Sequence, residues 1–458
     1  LTMQPKDDKS GVVFGIDTNP PVKGGNAAQK REHDKKLGAG TMSRAGVTCP
    51  CCDTIMTMDD VQLEGRAGRL DSVLTSVVVD SPVGKEFRLP TQLETECAAR
   101  LPNHYFAEFN DIPYGFLTEN ICSERPSPNT RGASGLPRYG FDTWADIFTH
   151  RQLLSLAKLI KQTRSTANEL ADFNYDAVWC EALSAYLMAG FDKLLTNSTT
   201  ICSWNKNTLS VRHTFGRFVL PMVWDFTEIN PLSESAGGYL NSIDWVAEAL
   251  SFTLRAGEFG GRPQCRLESA TELDVGEIDV VVTDPPYYDA IPYSDLMDFY
   301  HVWLRRGLRG VTSDFDSAFL EPLGPKWDAD RASGELIDQP SRFGFDIEKS
   351  RRNYEEGMAR VFARCGQALK ANGRLVVVFA NKQPDAWETL VSALIRAGFV
   401  VDGSWPIETE RASRSNALTA AALASSVWLV CRKRDPLARA GWDTQVLKEM
   451  ESSITTRL

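Results

Sequence analysis

The sequence predicts an α/β fold in its second half, a sheet of strands alternating with helices, preceded by a long mixed α+β region. Two observations predict it. From Ile278 onward, apolar strand-like runs alternate with amphipathic helical stretches, the pattern of a parallel sheet covered on both faces. Before that point, short β-branched runs and turn signals give way near Asp146 to an apolar period of helical spacing.

The elements follow in order. A polar opening rich in Gly and Lys holds one short strand, Val12 to Ile16, and a mixed-charge run from Lys30 to Lys36. Thr48 to about Leu89 reads as short strands and turns: CPCCDTIM, the run Leu74 to Val79, then a turn at Pro82-Val83-Gly84. Pro113 to Pro137, studded with Pro and Gly, is a connecting loop. Asp146 to Thr163, Ala177 to Leu195 and Trp245 to Leu254 carry helical periodicity. Then come strand Ile278 to Thr283, helix Asp295 to Leu308, helix Tyr354 to Ala371, strand Arg374 to Ala380 and helix Asp385 to Ala397. Strands Phe399 to Ser404 and Val427 to Arg432, joined by a long loop, close the chain as an antiparallel hairpin on the sheet. Four regions result: 1–90, 91–255, 256–435 and a tail, 436–458.

Composition narrows the class. With 50 basic and 60 acidic side chains the net charge is −10, which argues against non-specific coating of nucleic acid but leaves room for a local basic groove. At 43% apolar and 24% charged residues, the chain is neither disordered, collagen-like nor a disulfide scaffold. No apolar run approaches the ~18 residues of a membrane span, so no membrane partner is expected. Most of the ten cysteines stand alone; Cys180, Cys365 and Cys431 sit in apolar company as inert thiols, and a reducing cytoplasm is expected. The chain opens at Leu1 without the apolar core of a signal peptide, and we expect a cut through a longer polypeptide or a reading frame missing its start.

The strongest chemical signal is Asp284-Pro285-Pro286-Tyr287, directly after the strand EIDVVVT. Ligands of open α/β sheets bind at the carboxyl ends of strands, where this motif falls. A carboxylate and a neighbouring backbone carbonyl can both accept from the exocyclic amino group of a base, drawing its lone pair out of conjugation. The prolines stiffen the turn and bring no N–H donors. The tyrosine offers a face on which a flipped base can stack, worth about 1–3 kcal/mol.

This tetrapeptide resembles the signature of amino-group methyltransferases that use S-adenosylmethionine. The strands and helix from Arg374 onward match the second half of a Rossmann-like class I methyltransferase sheet, with its terminal reversed strand. Cys265 to Leu273 resembles the preceding strand and turn, which implies Glu268 and Ser269, with Asp284, as cofactor contacts. More narrowly, the string DPPYYDAIPYSDLMDFYHVWLRR resembles the adenine-specific DNA methylases that contain a zinc ribbon. TCPCCDTI, QLEGRAGRL, RYGFDTWADIFTHRQLLSLAKLI, VRHTFGRFVLPMVWDFTEINP, EEGMARVFARC and LASSVWLVCRK extend the resemblance from about Gly40 to Arg434. It implies double-stranded DNA as partner, with other phage-defence proteins as context.

Members of that family place a Gly-rich cofactor loop, and an acidic strand end after it, ahead of the ribbon; neither is in this chain. Gly24-Gly25, Gly237-Gly238 and Gly260-Gly261 follow no apolar strand and are plain loops, and Asp17 only mimics the acidic strand end. The resemblance therefore implies that the cofactor loop lies upstream of Leu1. Cys49 and Cys52 have the C-x-x-C spacing of half a zinc ribbon, the second pair lying upstream in the family. Cys51 is a spare thiol, and Cys97 or Cys122 are the candidates to complete a site, with free thiols in a turn as the alternative.

By analogy with other DNA amino-methyltransferases, the resemblance implies that target recognition lies in the region before about 255. Arg66, Arg69, Arg151, Arg212, His213 and Arg217, interleaved with Trp144, Trp204, Phe215 and Trp224, suit phosphate contacts and base stacking, or equally solvated arginines and core tryptophans. Arg305, Arg306 and Arg309 read as a solvated face, while Arg411 and Arg414 fall over the expected cofactor face and Lys382 at the catalytic edge. The expected function is transfer of a methyl group to N6 of adenine, or N4 of cytosine, in a flipped base. The alternatives are RNA base methylation and a catalytically inactive DNA-binding subunit of a defence complex.

Overall fold

A computed structural model describes the chain except for residues 19–23, 44, 101–104, 124–133, 207, 217–218, 235, 262, 267, 287–291, 313–315, 321–322, 324–326, 329–332, 382–383, 409–424, 436 and 438–458. It is a mixed α/β protein divided into two compact units. One comprises Leu1–Arg262 and Pro292–Lys326, the other Pro263–Ile291 and Trp327–Leu458.

The first unit begins with small hairpins and short helices: β1 (Thr2–Pro5), β2 (Val12–Gly15), α1 (Ala27–Leu37), β3 (Gly46–Thr48), β4 (Ile55–Thr57), α2 (Met58–Arg66), β5 (Val77–Ser81), β6 (Gly84–Arg88) and α3 (Gln92–Ala99). β1 pairs antiparallel with β2, β3 with β4 and β5 with β6, the last around the turn expected at Pro82-Val83-Gly84. Then come α4 (His150–Asp172), α5 (Ala177–Leu195), the hairpin β7 (Ser203–Asn205) and β8 (Ser210–Arg212), α6 (Tyr239–Gly257), α7 (Tyr293–Leu308) and α8 (Asp316–Leu320). The helix expected from Asp146 starts later because Thr149 caps it: its hydroxyl accepts from the Gln152 N–H, and Gln152 returns a bond to the Thr149 N–H. Leu153, Leu156, Ala157 and Ile160 then share the buried face of α4.

The core of this unit gathers around α7, which the sequence grouped with the strand before it. Phe299, Val302 and Trp303 are wholly buried. The Trp303 ring lies 5.4 Å from that of Phe148, 5.6 Å from Phe191 and 6.3 Å from Phe109. Apolar area drives this placement: the stripe of α7 is too wide and aromatic to be left in water.

The second unit holds β9 (Ile278–Thr283), β10 (Trp327–Asp328), β11 (Ser333–Gly334), α9 (Ile347–Ala368), β12 (Leu369–Phe379), α10 (Pro384–Arg396), β13 (Phe399–Glu408) and β14 (Ser425–Lys433). Four of these strands form one sheet in the order β13-β14-β12-β9. β9 and β12 run parallel, whereas β14 is antiparallel to both its neighbours, so the expected hairpin is present and the last strand lies between β13 and β12. Gly398, at φ +83°, gives the left-handed turn between α10 and β13.

α9 and α10 pack on one face of this sheet. Tyr354, Met358, Phe362 and Cys365 of α9 and Leu390, Ala393 and Leu394 of α10 meet Leu375, Val377 and Phe379, alternate residues of β12. Within this unit the described helices do not cover the other face as the sequence predicted: Val280 and Val282 are 51% and 60% exposed. The expected strand at Cys265 to Leu273 is likewise not formed among the described residues of that stretch. No helix of the described residues is long and apolar enough to cross a membrane.

Candidate functional site

The β-branched strand β9 pairs with β12 in register, Val282 opposite Val376 and Thr283 opposite Val377, so both strands end at one edge of the sheet. Asp284 is the first residue past the end of β9 and is exposed; Pro285 and Pro286 behind it are half-buried. Tyr354, wholly buried near the start of α9, donates its hydroxyl to the Pro286 carbonyl at 2.7 Å. That bond ties the motif to the helix. It also leaves two adjacent acceptors: among the described residues, no hydrogen bond reaches the Asp284 carboxylate or the Pro285 carbonyl. Just past the end of β12, the Asn381 carbonyl accepts from Trp387 Nε1 of α10 at 2.9 Å. Tyr287 and Lys382 lie outside the described residues, as do Arg411 and Arg414.

Tyr354 is a site residue that the sequence reading missed. Its signal was available: Tyr354, Met358, Phe362 and Cys365 share the helical period of the sheet-facing stripe. An aromatic with a hydroxyl at the start of that stripe falls beside the carboxyl edge of the strands.

The structure does not bring Glu268 and Ser269 to this edge. Ser269 opens a turn in which its hydroxyl lies 2.8 Å from that of Thr271, and the Glu272 N–H donates to the Ser269 carbonyl at 2.9 Å. Arg364 Nε fastens the turn by donating to the Thr271 carbonyl at 3.2 Å. Arg364 is ten residues after Tyr354 in α9, about 15 Å along the helix at 1.5 Å per residue. The helix runs from the carboxyl edge of the strands back to their amino edge, so this turn sits at the opposite end of the sheet from Asp284. The described residues therefore leave two acceptors at the Asp284 edge and do not fit a complete pocket for S-adenosylmethionine.

The cysteines form a small cluster in the β3–β4 turn. The Cys51 thiol donates to the Gly11 carbonyl at 3.3 Å, and Cys52 lies 3.4 Å from the Thr54 hydroxyl. Thr54 lowers the Cys52 thiol below its usual value, helped by Cys49, whereas desolvation and then the neighbouring Cys49 push Cys51 up. Among the described residues no group of three or more His, Cys, Asp or Glu side chains is placed to hold a metal ion, so Cys49 and Cys52 do not by themselves fit a zinc site. Cys97 is exposed on α3 and Cys122 is half-buried.

The basic and aromatic residues of the first unit mostly serve its fold. Arg69 forks onto Glu64 at 2.6 and 2.8 Å, and Arg151 bonds Glu228 at 2.7 and 3.1 Å. Arg66 donates to the Arg138 carbonyl at 3.1 Å. Trp144 is core, Trp204 packs edge-on against Phe87, Phe215 lies on Phe299 and Tyr300, and Trp224 packs on Tyr139. Arg212, the last residue of β8, and His213 after it are exposed, and Arg217 lies outside the described residues.

The arginines of α7 correct the sequence reading most sharply. Arg305 and Arg306 are buried, not solvated, and both reach Glu119. Arg306 also donates to the carbonyls of Gly115, Phe116 and Val302. Only Arg309 stays half-exposed, 3.2 Å from Asp316. A periodic helix shows where its cations fall but not that a carboxylate from a distant loop meets them.

Compared with protein-family models, with curated proteins and with solved structures, the chain matches none.

Proposed function

We propose that this chain carries the base-binding half of a DNA amino-group methyltransferase, acting on N6 of adenine, with N4 of cytosine as the near alternative. One observation carries the reading: Asp284 and Pro285 present two adjacent acceptors without partners among the described residues at the carboxyl edge of β9, while Tyr354 occupies the next carbonyl along. An exocyclic amino group has two N–H donors to match them. Held there, its nitrogen lone pair turns out of conjugation with the ring and becomes nucleophilic. The proton released on alkylation passes to Asp284 or to water, and most of the rate gain comes from orientation. The base reaches this corner flipped out of the duplex, with Tyr287 as its stacking face. The reversed last strand of the sheet supports the same class.

S-adenosylmethionine is the methyl donor this reading implies. The described residues do not form its pocket, so only the amino-group end of the reaction is assigned to this chain. That same observation favours a second reading, a DNA-binding subunit that binds no cofactor; other defence proteins would then be its partners.

The test is transfer of labelled methyl from S-adenosylmethionine to duplex DNA, with RNA in parallel. Asp284→Ala should lower transfer to DNA by about 100-fold or more. Transfer at the unmodified rate would overturn the assignment, and transfer to RNA alone would move the substrate class. Calorimetric binding of S-adenosylmethionine to the chain would exclude the second reading, and DNA binding without it would favour that reading.

A further inference from the structure

α6 is a largely apolar helix of 19 residues in which only Ser242 is buried. One side of it leans on α5, with Ile243 seated where a Cβ at Gly190 would come within 2.2 Å of its Cδ1. The adjoining face is exposed, save that Lys193 Nζ of α5 lies 4.3 Å from the centroid of the Trp245 ring. Trp245, Ala249, Phe252 and Ala256 are all exposed, Trp245 at 57% and Phe252 at 69%. Their spacing of four, three and four residues is that of a coiled-coil seam. Large and small side chains alternate along it. On one flank of this seam stand Glu248 and Arg255, seven residues and so about 10.5 Å apart along the axis. Neither has an ionic partner among the described residues; Arg255 Nε only returns to the Ser251 carbonyl at 3.2 Å.

We propose that α6 is the seam of a homodimer in which it packs antiparallel against α6 of a second copy. The sequence of the seam selects that occupant and that direction. In an antiparallel pair each large residue meets a small one, Trp245 against Ala256 and Phe252 against Ala249 of the other copy, so every layer fills without voids. A parallel pair would set Trp on Trp and Ala on Ala. The flank agrees. Antiparallel pairing brings Glu248 of each copy to Arg255 of the other, two ion pairs related by the two-fold axis. Parallel pairing would leave Glu248 and Arg255 of the two copies on opposite sides of the seam, so that neither ion pair forms. A surface whose sizes and charges both complement themselves under one rotation is fitted to another copy of the same chain.

Sedimentation velocity on the 458-residue chain across the micromolar range tests this. The chain should run as a dimer. Phe252→Glu should make it a monomer with an unchanged far-ultraviolet circular dichroism spectrum, since the position is exposed. Glu248→Arg should weaken the dimer by about tenfold, and Glu248→Arg combined with Arg255→Glu should restore it. A monomer at every concentration would overturn the proposal, including one that oligomerises only when DNA or another protein is added. A dimer indifferent to Phe252→Glu, or a double exchange that fails to rescue, would overturn it equally.

Discussion

The Glu119 carboxylate grips a fully buried Arg306 guanidinium through both oxygens, Oε1 at 2.7 Å from Nη1 and Oε2 at 3.0 Å from Nη2. Arg305 reaches the same carboxylate, and its guanidinium lies 4.4 Å above the Tyr114 ring. Two cations on one anion inside the fold make the anion indispensable. Glu119→Ala should destabilise the chain by about 3–5 kcal/mol, because it leaves buried charge unpaired. Burial alone would raise the Glu119 carboxyl, but Arg306 and then Arg305 outweigh it and hold the carboxyl below its usual 4.5. Stability from this site is thus present above pH 4.5 and is lost as the pH falls through the lowered folded value. Urea midpoints of the two chains across that range check both statements.

That cluster marks the limit of what the sequence made legible. α5 and β9 fall where periodicity puts them, Ala177–Leu195 and Ile278–Thr283, since an apolar period is a local signal. The motif Asp284-Pro285-Pro286 was legible for the same reason. The burial of Arg306 was not, because the carboxylate that makes it tolerable lies 187 residues away in a loop. The Tyr354 bond to Pro286 spans 68 residues and was hidden likewise. Long-range pairing of polar groups leaves no periodic trace.

Asp284 is exposed and bonded to nothing among the described residues, so its removal should be felt in chemistry and not in folding. Asp284→Ala should leave stability within about 0.5 kcal/mol of the unmodified chain. A large loss of stability, read from a denaturant midpoint, would mean the carboxylate serves the fold, and a fall in methyl transfer would then say nothing about catalysis.

Tyr354→Phe removes one hydroxyl and keeps the ring in its buried place. The lost bond to Pro286 should cost about 1 kcal/mol of stability. Its larger effect should be on the motif, whose turn is no longer tied to α9. Methyl transfer should fall by more than that stability loss explains, with saturation by DNA shifting as well. A variant with full activity would show that the prolines alone hold Asp284 in position.

Asp192, on α5, has its Oδ1 buried without a hydrogen-bond partner among the described residues. Burial pushes its carboxyl well above the usual 3.8, and Tyr300 is pushed up to about 12 by its own burial and then by the charge of Asp192. A raised value means that the folded chain keeps a proton which the unfolded chain releases. This preference adds stability below pH 3.8, and that stability is lost as the pH rises toward the folded value. An amide has the shape of the protonated acid and nothing to titrate. Asp192→Asn should therefore match the unmodified chain in acid and exceed it at neutral pH, by roughly 1–3 kcal/mol. Urea midpoints measured from acid to neutral pH should diverge in that direction; two parallel curves would mean that this carboxyl is hydrated and ionised in the folded chain.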